Sequence, residues 1–224
     1  MQIKRIIPNS LTCANLLCGS AAVFMATQEQ FLWAFALILA GGLFDFFDGA
    51  SARWLKVPSP LGVQLDSLAD DITFGLAPAM ILMCYLKPII GWWALIALLI
   101  AAFSALRLAK FNIDTRQTSS FIGVPTPANA LFWGSLVVGA HDFLVSDSFN
   151  ALYLIILVAF TSWLLVAEIP MFSLKFKNLS WRDNKVQFIF LLGCIPLIVL
   201  LQVAGLAAII IWYALLSLIT QRKS

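Results

Sequence analysis

Charged residues are scarce in this sequence, and their scarcity excludes an ordinary water-soluble domain. Lys, Arg, Asp and Glu make up 11% of the 224 residues, whereas 62% are hydrophobic and the mean hydropathy is +0.95. A soluble domain has about a quarter charged residues and about half apolar ones. The composition therefore predicts a polytopic membrane protein. The formal net charge of +3 is too small to favour a nucleic-acid partner.

Residues that bind zinc or build disulfide frameworks are also rare. The chain has one histidine and four cysteines, and the cysteines are scattered in apolar segments without the short spacings of metal sites. We interpret the cysteines as small buried residues. Internal repeats are absent from the sequence as well, which argues against transporters that are built from repeats.

Hydrophobic segments long enough to cross a bilayer are plentiful. About 20 mostly apolar residues span a membrane as a helix, and eight such segments are predicted at about 10–27, 30–53, 62–86, 90–111, 127–145, 149–172, 186–201 and 204–220. The lead MQIKRIIP is expected to lie in the interface, followed by a first helix that is retained rather than cleaved. The predicted fold class is an all-α polytopic membrane helical bundle, with residues 1–224 in a single integral membrane domain.

The basic residues predict the orientation of the eight segments. With the N-terminus and the C-terminus both cytoplasmic, the inner connections hold thirteen of the 14 Lys and Arg and the outer ones hold only Lys87. The thirteen are Lys4, Arg5, Arg53, Lys56, Arg107, Lys110, Arg116, Lys175, Lys177, Arg182, Lys185, Arg222 and Lys223. A seven-segment arrangement would move two of them outside and weaken this bias.

The acidic residues are concentrated in one short stretch. Of the 11 Asp and Glu, five lie between positions 45 and 71, within otherwise apolar sequence. Asp45 and Asp48 are three residues apart, and Asp66 and Asp70 are four apart, so each pair lies on one face of a helix. The two helices are consecutive and joined by a short proline-containing loop. We therefore expect the four carboxylates to meet at one depth, near the cytoplasmic face.

Carboxylates crowded in a low-dielectric setting repel one another, and they persist in membranes when they pair, bind metal or do chemistry. Oxygen-only ligands favour a hard cation, so the cluster predicts a two-metal centre for Mg²⁺ or Mn²⁺. Mg²⁺ commonly binds together with substrate phosphates. Gly49 and Ala52 leave space for such a ligand, and Arg53 supplies a cation for phosphate oxygens. The alternative, ion pairing with Arg53 and Arg107, cannot balance four or five carboxylates.

One family motif matches the acidic stretch at every fixed position. The matching residues are Asp45-x2-Asp48-Gly49-x2-Ala52-Arg53-x8-Gly62-x3-Asp66-x3-Asp70. With this motif the chain resembles the CDP-alcohol phosphotransferase family. The resemblance implies transfer of a phosphatidyl group from a CDP-linked lipid to an alcohol, with release of CMP. It also implies a six-helix core that would cover residues 1–172, two additional helices within 186–220, and a homodimer.

The resemblance further implies roles for individual residues. Asp45, Asp48 and Asp66 would be metal ligands, and Asp70 would both bind metal and act as the general base for the acceptor hydroxyl. The predicted contacts to the CDP lipid are Asn9, Thr12, Gly49, Ala52, Arg53 and Ser59. The first two lie in PNSLT at 8–12, which is similar to the family's Pro-Asn-x-Leu-Thr element; from the residues alone they would be interpreted as a helix cap.

Three further stretches resemble the branch of the family that uses serine, the CDP-diacylglycerol–serine O-phosphatidyltransferases. They are LDSLADDITFGLAP at 65–78, RLAKFN at 107–112 and FIGVPTPA at 121–128. Arg107 and Asn112 are predicted to bind the acceptor, because a zwitterion needs a cation for its carboxylate and a polar group for its ammonium. Lys110 and Asp71 depart from the branch pattern. Asp71 lies about 100° around the helix from Asp70 and is interpreted as a hydrogen-bonded neighbour rather than a ligand.

The predicted function is transfer of a phosphatidyl group from CDP-diacylglycerol to L-serine at the cytoplasmic face of a bacterial or archaeal cytoplasmic membrane. Membrane lipid is the other expected partner. Glycerol 3-phosphate or inositol phosphate is an alternative acceptor, although the loop after residue 112 offers only Arg116 for a dianion. A divalent-cation transporter is a second alternative, but a transport site is expected near mid-bilayer, and Arg53 would repel a passing cation.

Overall fold

The computed structural model describes residues 2–114, 121–146, 149–172, 180–181 and 183–221, and most of these residues are helical. The helices are α1 (Gln2–Thr27), α2 (Phe31–Trp54), α3 (Pro60–Asp70), α4 (Ala77–Ile90), α5 (Leu99–Ile113), α6 (Thr126–Gly139), α7 (His141–Val145), α8 (Leu152–Val166), α9 (Lys185–Leu201) and α10 (Ala204–Gln221). A π-helical turn (Asp71–Leu76) joins α3 to α4, and a 3₁₀ segment (Gly91–Leu98) precedes α5. The predicted all-α class is confirmed.

Several helices are suited to a bilayer. Within the described residues, Lys4–Thr27, Phe31–Trp54 and Pro60–Ile113 are long and apolar enough to cross a membrane, and Leu152–Val166, Lys185–Leu201 and Ala204–Thr220 are shorter apolar helices. The longest of these stretches, Pro60–Ile113 with 54 residues, is interrupted at Gly91, where φ is +59°. Helix α4 packs against the 3₁₀ segment that begins there. These helices fit an integral membrane protein.

Some predicted boundaries are wrong. The first helix begins earlier than predicted, because α1 starts at Gln2 rather than near residue 10 and passes through Pro8. The fifth predicted segment is two helices, since the backbone leaves the helical conformation at Ala140. The sixth predicted segment, 149–172, corresponds to α8, which ends at Val166 because the backbone becomes extended at Ala167. Six basic residues used to predict the orientation lie outside the described residues: Arg116, Lys175, Lys177, Arg182, Arg222 and Lys223.

A two-stranded antiparallel sheet, which the sequence did not predict, connects the segments before α6 and after α8. Strand β1 (Phe121–Ile122) pairs with β2 (Pro170–Met171), with Phe121 opposite Met171. The amide of Gly123 donates to the Ile169 carbonyl at 2.8 Å, and Gly123 has φ +75°, a conformation that favours glycine. This pairing fixes the start of α6 against the end of α8.

The protein interior lies among α1, α2, α4 and α6. Small residues such as Ala22, Ala26 and Ala34 are buried where α1 packs along α2, which lets the two backbones approach closely. Ile38 and Trp133 fill the interior nearby. Many other large apolar side chains are exposed on the outside of the described helices, as expected for surfaces that face lipid. The α1–α2 packing positions the functional site described below.

Gly19 marks a close approach of α1 to the π-helical turn. A Cβ atom at this position would clash with the backbone and hydroxyl of Thr73. We expect Gly19→Ala to destabilise the protein by about 1–3 kcal/mol through overpacking, measured as a lower melting temperature in detergent. Gly42→Ala is the matched control, because its Cβ would meet only the Phe74 ring at 3.7 Å, an ordinary contact. Equal melting temperatures for the two variants would contradict this account of the packing.

Candidate active site

Three of the four predicted aspartates come together between α2 and α3. One carboxylate oxygen each from Asp45, Asp48 and Asp66 lies within 4.8 Å of the others. The hydroxyl of Ser59 helps to fix the start of α3, because it accepts a hydrogen bond from the Gly62 amide at 3.0 Å. Helical spacing and a short capped connection therefore bring the acidic turns of two consecutive helices face to face.

The donor set of this cluster fits a hard divalent cation. Asp66 Oδ1 is buried and has no hydrogen-bond partner among the described residues. Burying a charged oxygen without a partner is costly, and a cation bound by the three clustered carboxylates would offset that cost. All three ligands are carboxylates, which suits Mg²⁺ or Mn²⁺ better than zinc. The cluster could hold a metal ion.

Helix α1 supplies the support for Asp48. The hydroxyl of Thr12 lies 2.6 Å from Asp48 Oδ2 and 3.0 Å from the carbonyl oxygen of Pro8. Thr12 and Asp48 are both buried. The sequence predicted Thr12 as a contact to the CDP lipid, and the structure shows that its hydroxyl also restrains a predicted metal ligand.

A cleft opens next to the carboxylate cluster. Its lining includes five of the six residues predicted to contact the CDP lipid, together with two of the aspartates: Asn9, Thr12, Gly49, Ala52, Ser59, Asp48 and Asp66. The sixth, Arg53, is exposed, and its Nη1 atom would lie 3.3 Å from a Cβ at Gly49. A cation, a region of exposed backbone and several polar side chains thus surround the space beside the acidic cluster.

Asp70 stands slightly apart from the group of three. Its carboxylate interacts electrostatically with Asp45 and Asp66, but its direct hydrogen bond comes from the side-chain amide of Asn15, whose nitrogen lies 3.1 Å from Asp70 Oδ1. Sequence reasoning missed Asn15. The available signal was its position three residues after Thr12, which places a second polar side chain on the same face of α1.

The π-helical turn begins directly after Asp70, at Asp71. Asp71 Oδ1 is buried without a hydrogen-bond partner among the described residues, so the predicted hydrogen-bonded role is wrong for this atom. Asp71 is not one of the three clustered aspartates, which agrees with its interpretation as a residue outside the ligand set. The turn places Asp70 and Asp71 in different surroundings.

The two predicted acceptor residues occupy different places. Arg107 is buried, interacts electrostatically with Asp70, and donates from Nη1 to the Thr126 hydroxyl at 3.1 Å. Its Nε atom has no partner among the described residues. Asn112 is exposed, and its amide donates to the Ser67 hydroxyl at 2.9 Å. Arg107 is therefore hydrogen-bonded at the start of α6 and interacts with Asp70 only electrostatically, whereas Asn112 lies beside Ser67.

Comparison with known proteins identifies the family of this chain. The family model described as CDP-alcohol phosphatidyltransferase matches residues 5–220, nearly the whole chain. The chain belongs to the CDP-alcohol phosphatidyltransferase family. The match spans the aspartate cluster, the cleft and the later helices α9 and α10. The family that the motif at 45–70 predicted is therefore confirmed.

Individual relatives in this family are similar over shorter spans. The chain is 37% identical over 166 residues to a CDP-diacylglycerol–serine O-phosphatidyltransferase of Bacillus subtilis, covering 73% of this chain and 88% of the relative. A protein of the same name from Helicobacter pylori is 38% identical over 129 residues, about half of each chain. The relative of that name from Methanocaldococcus jannaschii is 34% identical over 157 residues, 69% of this chain and 71% of the relative.

Proposed function

We propose that this protein transfers the phosphatidyl group of CDP-diacylglycerol to L-serine, giving phosphatidylserine and CMP. The observation that carries the proposal is the cluster of Asp45, Asp48 and Asp66 beside a polar cleft. The family match and the serine-specific names of its relatives support the same reaction. A hard-cation site next to a cleft with an adjacent guanidinium is suited to a diphosphate donor.

In the proposed step, the serine hydroxyl oxygen attacks the phosphorus that carries diacylglycerol. A new P–O bond forms to serine, the P–O bond to CMP breaks, and CMP leaves with the bonding electrons. Asp70 accepts the hydroxyl proton as general base. Its electrostatic interactions with Asp45, Asp66 and Arg107 support this role, because the acceptor must reach both the base and the donor phosphorus.

Asp45, Asp48 and Asp66 would hold Mg²⁺ or Mn²⁺ in this reaction, and we propose Asp70 as a further ligand of a two-metal centre. Bound ions would polarise the phosphate and stabilise the leaving CMP. The chain's own contribution is to fix these carboxylates. Thr12 restrains Asp48 through its hydroxyl, and the capped start of α3 orients Asp66.

The cleft residues would bind the donor. Asn9, Thr12, Gly49, Ala52 and Ser59 line the space next to the cluster, and Arg53 lies next to Gly49. The guanidinium of Arg53 would pair with the diphosphate oxygens. Gly49 and Ala52 would allow the phosphates to approach the α2 backbone.

Arg107 would bind the serine carboxylate. Its Nε atom is buried without a partner among the described residues, and its guanidinium interacts electrostatically with Asp70. We propose Asn112 as a second acceptor contact, because a zwitterionic acceptor needs a polar group for its ammonium; in the structure the Asn112 amide donates to Ser67.

The wider setting is also part of the proposal. Residues 1–172 would form the catalytic six-helix core, residues 186–220 two additional helices, and the whole chain one domain. We propose eight spans, with both termini and the active site at the cytoplasmic face of a bacterial or archaeal membrane, on the basis of the positions of Lys and Arg in the sequence. The family resemblance supports a homodimer.

The reaction can be tested by transfer of label. Purified protein in mixed micelles with CDP-diacylglycerol and Mg²⁺ is expected to convert labelled L-serine into a chloroform-soluble lipid, with one CMP released per lipid formed. Absence of both products would overturn the proposal. Mn²⁺ uptake into proteoliposomes without release of CMP would instead favour a cation transporter.

Replacing Arg107 by glutamine tests the acceptor site. We expect the KM for serine to rise about tenfold or more while the KM for CDP-diacylglycerol changes little, because a charge-assisted contact to the carboxylate is lost. Lys110→Gln on the same helix is the control, since Lys110 is exposed and is interpreted as a membrane anchor. Equal effects of the two variants on the KM for serine would refute the assignment.

A further inference from the structure

Asn15 lies inside the protein and contacts the proposed general base. Its side chain is 0% exposed, and its amide nitrogen donates to Asp70 Oδ1 at 3.1 Å. A buried amide in an apolar helix is costly unless it is hydrogen-bonded, and the partner here is a proposed catalytic residue. We propose that Asn15 is a positioning residue that orients the Asp70 carboxylate for proton transfer. The inference rests on the proposed function.

Separate contacts hold the backbone and the side chain of Asn15. The Thr73 hydroxyl donates to the Asn15 backbone carbonyl at 3.0 Å, which ties α1 to the π-helical turn. A Cβ at Gly41 would lie 2.9 Å from Asn15 Oδ1, so the side-chain amide packs directly against the α2 backbone. Asn15 Oδ1 has no hydrogen-bond partner among the described residues. The amide is therefore placed by packing, and its hydrogen-bonding partner is Asp70.

This contact defines which part of the Asp70 carboxylate is available for chemistry. Oδ1 is engaged by the neutral Asn15 amide, which leaves Oδ2 to meet the acceptor hydroxyl or a bound ion. Asn15 reaches Asp70 Oδ1 from α1. A base whose orientation is fixed by a hydrogen bond from a rigid helix is suited to proton transfer, and a misplacement of about 1 Å can reduce a rate about a hundredfold.

Two variants of Asn15 test the inference. Asn15→Asp keeps the shape of the side chain but replaces the donor by an acceptor, and Asn15→Leu keeps a similar volume without a donor. We expect both variants to lower kcat for CMP release about a hundredfold. The KM for CDP-diacylglycerol should change by less than about threefold, because Asn15 does not line the cleft. The assay uses the full-length protein in mixed micelles with Mg²⁺ and L-serine.

Thr73→Val is the matched control. It removes the hydroxyl that contacts the Asn15 backbone but leaves the amide itself, so kcat should stay within about threefold of wild type. An Asn15 variant with wild-type kcat would overturn the inference. A loss of kcat in Thr73→Val as large as the loss in Asn15→Asp would also overturn it. Melting temperature and Mn²⁺ binding check that each variant is folded. If either Asn15 variant does not fold, Asn15→Ser, which has a smaller side chain, is measured in its place.

A failure of the inference about Asn15 can be distinguished from a failure of the proposed function. If the wild-type protein releases no CMP with serine, the acceptor assignment fails, and the same variants are compared with the alcohol that does support turnover. If wild type is active and the Asn15 variants match it, only the role of Asn15 fails.

Discussion

Replacing Asp70 by asparagine is expected to lower kcat for CMP release by about a thousandfold. The variant loses the group that accepts the hydroxyl proton, and general-base catalysis contributes about 10²–10⁴ in rate. The shape of the side chain is retained, and the amide oxygen of the new residue can still accept the hydrogen bond from Asn15. Binding of CDP should therefore remain within a few-fold of wild type, since Asp70 does not line the cleft.

Asp71→Asn provides the control for this prediction. Asp71 follows Asp70 directly, bears the same carboxyl group and lies outside the cluster of three carboxylates. If a carboxyl group anywhere in this part of the helix were sufficient for catalysis, the two substitutions would lower kcat to a similar extent. We expect the kcat of Asp71→Asn to remain within about tenfold of wild type. An active Asp70→Asn variant would rule out Asp70 as the general base.

Removal of the metal is expected to abolish turnover, and Asp66→Asn should reproduce much of that loss. Asp66 has a buried oxygen without a partner among the described residues, so the substitution changes a proposed ligand rather than a surface charge. We expect EDTA to reduce CMP release to background and added Mg²⁺ or Mn²⁺ to restore it. For Asp66→Asn, Mn²⁺ affinity measured by electron paramagnetic resonance should fall at least about tenfold, in line with the loss of a ligand or its support.

Asp142→Asn is the control for nonspecific loss of acidic charge, because Asp142 is exposed on α7. The Mn²⁺ affinity and the turnover of the Asp142→Asn protein should match those of wild type. Full activity of wild type after exhaustive treatment with EDTA would contradict a metal-dependent reaction. Wild-type Mn²⁺ affinity in Asp66→Asn would show instead that the ion binds elsewhere.

The carboxylate cluster was predictable because local spacing determines it. Residues three or four apart share a helix face, and a short loop between two helices brings those faces together, which is the arrangement of Asp45, Asp48 and Asp66. Asp70 fits the same rule, yet its direct hydrogen bond is to a residue on α1. No spacing rule connects residues 15 and 70, so the contact depends on tertiary packing between helices.

Other features of the site also depend on tertiary structure. The π-helical turn after Asp70 and the pairing of β1 with β2 have no periodic signal in an apolar sequence. Arg107 and Asn112 are five residues apart on α5, and helical geometry separates them by about 140° around the axis. The sequence analysis grouped the two residues as acceptor contacts, whereas in the structure they are hydrogen-bonded to Thr126 and Ser67 respectively.

The acceptor screen tests the central claim most directly. Purified protein with CDP-diacylglycerol and Mg²⁺ is offered L-serine, glycerol 3-phosphate or inositol phosphate in parallel, and CMP release is measured in each reaction. We expect release with L-serine and only background release with the two phosphorylated alcohols. Release with glycerol 3-phosphate or inositol phosphate but not with L-serine would contradict the proposed function.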